Sequence, residues 1–275
     1  MPLYDLGLFE YLGLFALIGA VSGFASGMFG IGGGIMRIPS FVILFPLFGI
    51  HGSHEMQVAV ATSLTLAVPS SLIAVLEHRK LGHLDVKYFW RWSVGLLAGI
   101  AIGIAVGPYL PQFALKIAFL VFVLLMVVYF TVLPDDFTLF KEPPLGLARF
   151  GLAGVVGTYC VSIGIAGGSL ATPVLKLCAM PMTRALAIGS GSSALVASFG
   201  MIGGIWNGWG VDGRPAWALG YVDSLLVAVM LPGALLFPAL GVGVANWMKT
   251  TLLRKLYAGF LALIAISMVT HLLRT

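Results

Sequence analysis

Charge is scarce in this chain: Asp, Glu, Lys and Arg together make up 9 % of its 275 residues. Water-soluble domains carry roughly a quarter, so an ordinary soluble fold is excluded. Cysteine occurs twice, at Cys160 and Cys178, both on apolar stretches, which leaves no disulfide framework. No basic residue precedes Arg37, while Asp5 and Glu10 lie near the start. A cleaved signal peptide needs a positive leading region, so the first apolar segment is expected to stay. The sequence also lacks a phosphate-cradling lysine motif. Gly30-Ile31-Gly32 is not a dinucleotide fingerprint, because no strand precedes it and position 35 is isoleucine. No cofactor and no metal centre are expected.

What the chain has is apolar length. Sixty per cent of its residues are hydrophobic and its mean hydropathy is +1.05. Charge-free runs cover Tyr11 to Met36, Met56 to Leu76, Trp92 to Leu115, Ile117 to Pro134, Phe150 to Leu175, Ala185 to Val211, Ser224 to Met248 and Leu256 to Leu273. A spanning helix takes roughly 20 mostly apolar residues, so these eight runs predict spans. Two shorter pieces, Ile38 to Ile50 and Leu177 to Thr183, are read as short spans or re-entrant half-helices. The six tryptophans fall near predicted span ends, where interfacial belts form. The expected fold is an all-α polytopic membrane protein in a prokaryotic inner membrane, in contact with the lipid bilayer.

The apolar runs are broken twice in the same way. Gly30-Ile31-Gly32-Gly33-Gly34-Ile35-Met36-Arg37-Ile38-Pro39 returns as Gly164-Ile165-Ala166-Gly167-Gly168-Ser169-Leu170-Ala171-Thr172-Pro173. Each glycine costs about 1 kcal/mol against alanine in a helix interior, and backbone freed in hydrocarbon must find partners. Other features repeat in order: Ala59 to Leu64 with Ala187 to Ser192, then Gly82-His83-Leu84-Asp85 with Gly220-Tyr221-Val222-Asp223. Residues 1–133 and 150–275 therefore read as two repeats of about five segments, joined by a proline-containing cytoplasmic linker over 134–149. Placing the N-terminus outside collects eleven of fifteen basic residues on one side (Arg79, Lys80, Lys87, Arg91, Lys141, Arg149, Lys176, Arg184, Lys249, Arg254 and Lys255). The other side receives Lys116, Arg214 and Arg274. Basic residues mark cytoplasmic loops, so the positive balance reports topology rather than a nucleic-acid partner. Equivalent loops carry opposite bias, as an inverted-topology repeat requires.

The ordered set of glycine breaks with Pro39 and Pro173, the Thr62-Ser63 pair, Gly189-Ser190, Asp85, and Gly220 to Asp223 resembles the sulfite exporter TauE/SafE family, also called the toluene sulfonate uptake permease family. The resemblance runs from about Leu14 to Ile266. It implies a secondary transporter that exports small sulfur-containing anions such as sulfite, sulfonates or thiosulfate. Arg37 departs from the family pattern, where an aliphatic residue is common, and Ser190-Gly191-Ser192 replaces a glycine-threonine-serine form.

The residues fit such a substrate by their own chemistry. A half-helix starting at a glycine break turns unsatisfied N–H groups and a positive dipole end toward the break, a natural oxyanion site. Gly30, Gly32, Gly33, Gly34, Gly164, Gly167, Gly168 and Ser169 are the candidate backbone donors. Thr62, Ser63, Ser190, Ser192 and Ser193 are the candidate hydroxyls, and Arg37 is the candidate cation, with Lys176 a weaker one. The competing reading is that the glycines serve only close helix packing and the hydroxyls bond back to their own helices. Pro39 and Pro173 are expected to kink or end the short helices, and Asp85 and Asp223 to cap long ones. His51, His54 and Glu55 match no standard metal-ligand spacing. The acid-free spans disfavour a metal ion or amine as cargo. The other reading is an intramembrane enzyme or channel-like anion pore, but no convergent nucleophile–base set lies within the spans. Assembly into a homo-oligomer is left open.

Overall fold

The structure is a computed structural model and describes residues 8–29, 33–47, 54–134, 137–213, 217–248 and 250–272. Over these residues the chain is almost wholly helical: α1 (Leu8–Phe29), α2 (Gly34–Leu47), α3 (Glu55–Lys80), α4 (Val86–Val106), α5 (Gln112–Val132), α6 (Gly146–Ile163), α7 (Gly168–Leu177), α8 (Met182–Asn207), α9 (Ser224–Trp247) and α10 (Thr250–Leu272). A two-residue antiparallel ribbon pairs Ala218 with Asp223 and Leu219 with Val222, just before α9. Among the described residues six segments are long and apolar enough to cross a membrane: Glu55–Lys80, Val86–Tyr109, Gln112–Val132, Gly146–Ile163, Met182–Asn207 and Ser224–Gly241. The chain is a multi-pass integral membrane protein. Eight spans were expected. α1 and α10 contribute shorter apolar stretches among the described residues, Glu10–Ser26 and Lys255–Thr270. The run from Tyr11 to Met36 is not one helix, because it is interrupted at the first glycine cluster.

Helix ends follow local chemistry. Asp85 Oδ1 accepts the Tyr88 N–H at 3.0 Å and starts α4, and Asp223 Oδ1 accepts the Leu226 N–H at 3.1 Å and starts α9. α6 stops at Gly164, whose φ of +75° places it in the left-handed region that a side chain disfavours. Its N–H and that of Ile165 both return to the Cys160 carbonyl. Neither proline ends its helix: Pro39 and Pro173 are each the sixth residue of α2 and α7, which run on to Leu47 and Leu177. A proline there withholds the N–H that would reach the carbonyl four residues earlier, at Ile35 and at Ser169. Only the pairing positions match; the two helices differ in length.

The long helices pack in four principal pairs, α1 with α9, α4 with α6, α3 with α8 and α5 with α10. Exchanging α1–α5 for α6–α10 turns this set of pairs into itself. α3 and α8 run antiparallel, since Ala61 meets Gly204, Leu64 meets Gly200 and Ala67 meets Ala197. α4 and α6 approach so closely that a Cβ on Gly99 would lie 1.9 Å from the Gly154 carbonyl oxygen. Small residues permit such backbone contact between membrane helices, where dispersion rather than water exclusion drives association. The linker also differs from expectation at its end. α6 begins at Gly146, so Arg149 belongs to its first turn, buried with its guanidinium 5.3 Å from the Tyr88 ring centre. Linker backbone then ties to α7, as Leu139 and Phe140 donate to the Leu177 carbonyl at 2.8 and 3.2 Å.

Two substitutions test this packing. Gly99→Ala forces α4 off α6 and should destabilise the detergent-solubilised protein by about 1–3 kcal/mol. Gly151→Ala on α6 meets nothing within 4 Å and should be neutral or stabilising by up to about 1 kcal/mol. Thermal unfolding of the pair checks both; equal midpoints would contradict the α4–α6 contact.

Candidate functional site

The two glycine clusters lie against each other. A Cβ on Gly34 would lie 3.0 Å from the Gly164 carbonyl oxygen, 3.2 Å from Ser63 Oγ and 3.3 Å from Ile165 Cα. Ser63, fully buried on α3, donates its hydroxyl to that same Gly164 carbonyl at 3.1 Å. The first turn of α2 and the turn between α6 and α7 therefore meet around one serine. Gly30 and Gly32 lie outside the described residues.

Arg37 is the charge at this junction. It sits one turn into α2 with 1 % of its surface exposed. Nε donates to Ser22 Oγ of α1 at 3.2 Å, and one terminal nitrogen donates to the Ser63 carbonyl at 3.2 Å. Ser22 in turn donates to the Gly19 carbonyl at 3.1 Å. The guanidinium folds back over the helix start, because a Cβ on Gly33 would lie 2.3 Å from it. Gly33 thus leaves space for the Arg37 head. The ion pair of Lys80 with Glu77 lies on the surface, and among the described residues no carboxylate is found paired with Arg37.

The second cluster is packed more tightly than an open donor site. A Cβ on Gly167 would lie 2.6 Å from the Ser192 carbonyl oxygen, and one on Gly168 would lie 2.7 Å from Ser193 Oγ. The Gly168 N–H is given to Ser193 Oγ at 2.7 Å and the Ser169 N–H to the Ala166 carbonyl at 3.0 Å. Ser169 itself is buried beside them. Of the other hydroxyls, Ser190 and Ser192 bond back to Leu186 and Ile188 at 2.9 and 2.8 Å, as membrane hydroxyls often do. Thr62 Oγ1 accepts the Asp223 N–H at 3.0 Å. Lys176 is in the last turn of α7, about 12 Å along the helix from Gly168 at 1.5 Å per residue, so the structure separates it from the break.

Several participants carried no signal in the sequence. Trp92 is not an interfacial residue: it is fully buried, with its indole N–H on Ser192 Oγ at 3.0 Å. Trp90, Trp206, Trp209, Trp217 and Trp247 are exposed. A cleft of about 50 Å³, room for a few water molecules, runs between α3, α4, α6 and α8. Its polar wall is Gln57, Ser162, Asn207 and Tyr221. The buried Gln57 Oε1 has no hydrogen-bond partner among the described residues, Asn207 donates to the Ile104 carbonyl at 2.7 Å, and the Tyr221 hydroxyl lies 3.4 Å from His54 Nδ1. Ser162 precedes the Gly164 turn by two residues, so the cleft leads from the His54 end of α3 toward the junction.

Removing one acceptor tests the Arg37 seat. Ser22→Ala leaves Nε without its described partner and should cost about 1–3 kcal/mol, the penalty of an unsatisfied buried donor. Ser40→Ala, which loses only a partly buried bond to the Met36 carbonyl, should cost less. Chemical or thermal unfolding ranks the two, and equal losses would contradict the seat.

Comparison with known proteins adds to this geometry. The family model "Sulfite exporter TauE/SafE" matches residues 15–268. A "Probable membrane transporter protein" of Haemophilus influenzae is 28 % identical over 268 residues, covering 95 % of this chain and 99 % of that protein. A protein of the same description from Methanocaldococcus jannaschii is 28 % identical over 203 residues, 70 % of this chain and 73 % of its own. Another, YunE of Bacillus subtilis, is 24 % identical over 259 residues, 86 % and 89 % of the two chains. No solved structure matches. With a glycine-broken helical architecture and a family match over nearly its whole length, the chain belongs to the sulfite exporter TauE/SafE family of membrane transporters.

Proposed function

We propose that this transporter moves a small sulfur oxyanion or sulfonate, and that the anion binds where the two glycine breaks meet. The observation that carries the reading is the buried Arg37 guanidinium, which no described carboxylate balances, beside the N-terminus of α2. A desolvated cation in a membrane protein is costly and marks function by default. An anion at the junction would supply the missing charge and take the positive end of the helix dipole. Sulfur chemistry is preferred because the family is described as a sulfite exporter, and export is the direction proposed on the same ground.

The donors in this proposal differ from those the sequence suggested. Gly168 and Ser169 already spend their N–H groups within the protein, so the Arg37 side takes the larger share of the anion. The proposal keeps two repeats, residues 1–133 and 150–275, with inverted topology. The helix pairing that maps onto itself on exchange of halves and the antiparallel α3–α8 crossing favour it. Alternating access would then exchange the cleft lined by Gln57, Ser162, Asn207 and Tyr221 for its counterpart on the other face. The basic residues around Arg79, Lys87, Lys141 and Arg184 support a cytoplasmic position for that other face. The proposal includes no cofactor or nucleic acid.

Binding and topology are both measurable. Sulfite or methanesulfonate should raise the thermal midpoint of the solubilised protein, since a ligand of the folded state stabilises it by about 2.7 kcal/mol at a hundredfold excess over Kd. Chloride at equal ionic strength should not. Arg37→Met keeps the volume, removes the charge, and should fold with little loss but lose the ligand-induced shift. A shift from a cation alone, or an unaltered anion response in Arg37→Met, would overturn the anion site. In a background lacking Cys160 and Cys178, Trp209→Cys should react with an impermeant thiol reagent from outside whole cells and Leu81→Cys should not; the reverse would invert the topology.

A further inference from the structure

Asp85 and Asp223 hold equivalent places in the two halves, and each accepts a first-turn N–H of the helix it opens. Capping requires no burial, and Asp85 does it while partly exposed. Asp223 does it at 3 % exposure. Its own N–H is bound to Thr62 Oγ1, and the next residue of α3, Ser63, gives its carbonyl to Arg37 and its hydroxyl to the Gly164 carbonyl. One peptide unit of α3 thus joins the buried acid to the residues that hold the cation and the second break.

Among the described residues, no cation faces this carboxylate from the elements around it. α1 presents Tyr11, whose phenol interacts electrostatically with Asp223. α3 presents Thr62, with Glu55 and the adjoining His54 at its far N-terminal end. The ribbon presents Tyr221, beside His54. The last turns of α8, Gly204 to Asn207, hold no titratable residue, and neither does any position of α9. Asp223 precedes the Ser224–Gly241 span. Burial holds its carboxyl above the usual carboxylate range, against the Leu225 and Leu226 N–H bonds that lower it.

We propose that Asp223 is a proton-binding site linked to occupancy of the anion site, so that the protein carries a proton together with its anion. The inference rests on the anion reading above. Ionised Asp223 opposes an anion at the junction; a proton taken from solvent onto the carboxylate removes that opposition. Linkage is reciprocal, so a bound anion raises the proton affinity of Asp223 by the factor that a bound proton raises anion affinity.

Methanesulfonate, a fixed monoanion, separates the protein's titration from the ligand's. Calorimetry on the whole solubilised chain between about pH 5 and about pH 8 should show Kd rising with pH, approaching tenfold per unit above the Asp223 midpoint. Binding heats in buffers of different ionisation enthalpy should show net proton uptake. Asp223→Asn still caps a helix and should bind with a flat pH profile and no uptake, whereas Asp85→Asn should keep the wild-type slope. Should Asp223→Asn not fold, Asp223→Glu should move the midpoint of the slope, and an unmoved midpoint would overturn the proposal. Binding without proton uptake in the wild type overturns it with no variant needed, as does a wild-type slope in Asp223→Asn. Absence of methanesulfonate binding at every pH overturns the sulfonate-site reading itself, and the coupling with it.

Discussion

Ser63 bonds in two directions at once. Its hydroxyl reaches the Gly164 carbonyl in the second half, and its carbonyl receives the Arg37 guanidinium from the first. The first bond satisfies a carbonyl freed where α6 ends, and the second a buried guanidinium nitrogen; unpaired polar groups of either kind are costly in hydrocarbon. The Gly164 carbonyl is exposed because α6 ends there in a left-handed turn. The Ser63 carbonyl faces Arg37 because α2 starts again just beyond the first break. Both interruptions thereby draw on one residue of the uninterrupted helix α3, and the antiparallel α3–α8 crossing carries that helix through the molecule.

This arrangement changes what the glycines mean. Substrate approach and close packing looked like competing explanations of the clusters. Gly33 and Gly34 show that they are linked: the space left by one holds the Arg37 head, and that left by the other admits the Gly164 carbonyl and Ser63 hydroxyl. Packing creates the charged junction. Gly167 and Gly168 belong to packing more directly, since their missing side chains let α7 lie on the backbone of α8 and their neighbourhood is already hydrogen-bonded. The two copies of the motif therefore do different work, with the cation on the first side alone.

Much of the architecture was legible in the sequence because lipid allows few solutions. Apolar length, rare charge and two glycine clusters locate the long helices and the breaks without tertiary information. α1 and Arg149 show the limit: a charge-free run can contain a break, and a charge near a predicted loop can belong to a helix's first turn. The partners of the site were not legible. Gln57, Asn207, Tyr221 and Ser162 are brought together from three stretches of chain more than forty residues apart, and only the folded path of α3, α6 and α8 reveals it. Trp92 looked interfacial by position, yet its place one and a half turns into α4 turns it toward Ser192. Spacing did hint at Gly33 and Arg37, since four residues apart is one helical turn.

The halves differ most in charge, and the difference has a physical direction. Arg37 has no counterpart in α7, where Ala171 stands four residues after Gly167, and Asp223 is buried where Asp85 is not. One buried cation and one buried acid thus bond to adjacent residues of α3, Arg37 to the Ser63 carbonyl and the Asp223 N–H to the Thr62 hydroxyl. Paired directly, they would neutralise each other and leave nothing for a ligand to complete. On the reading proposed above, the two charges stay unpaired with each other, so that an anion can meet the first and a proton the second. Two halves alike in charge could not do this, since equal positions would place like charges at the shared junction. The difference at these two positions, on helices whose pairing maps onto itself when the halves are exchanged, would on that reading let an apolar bundle hold charge in a form that small ions balance.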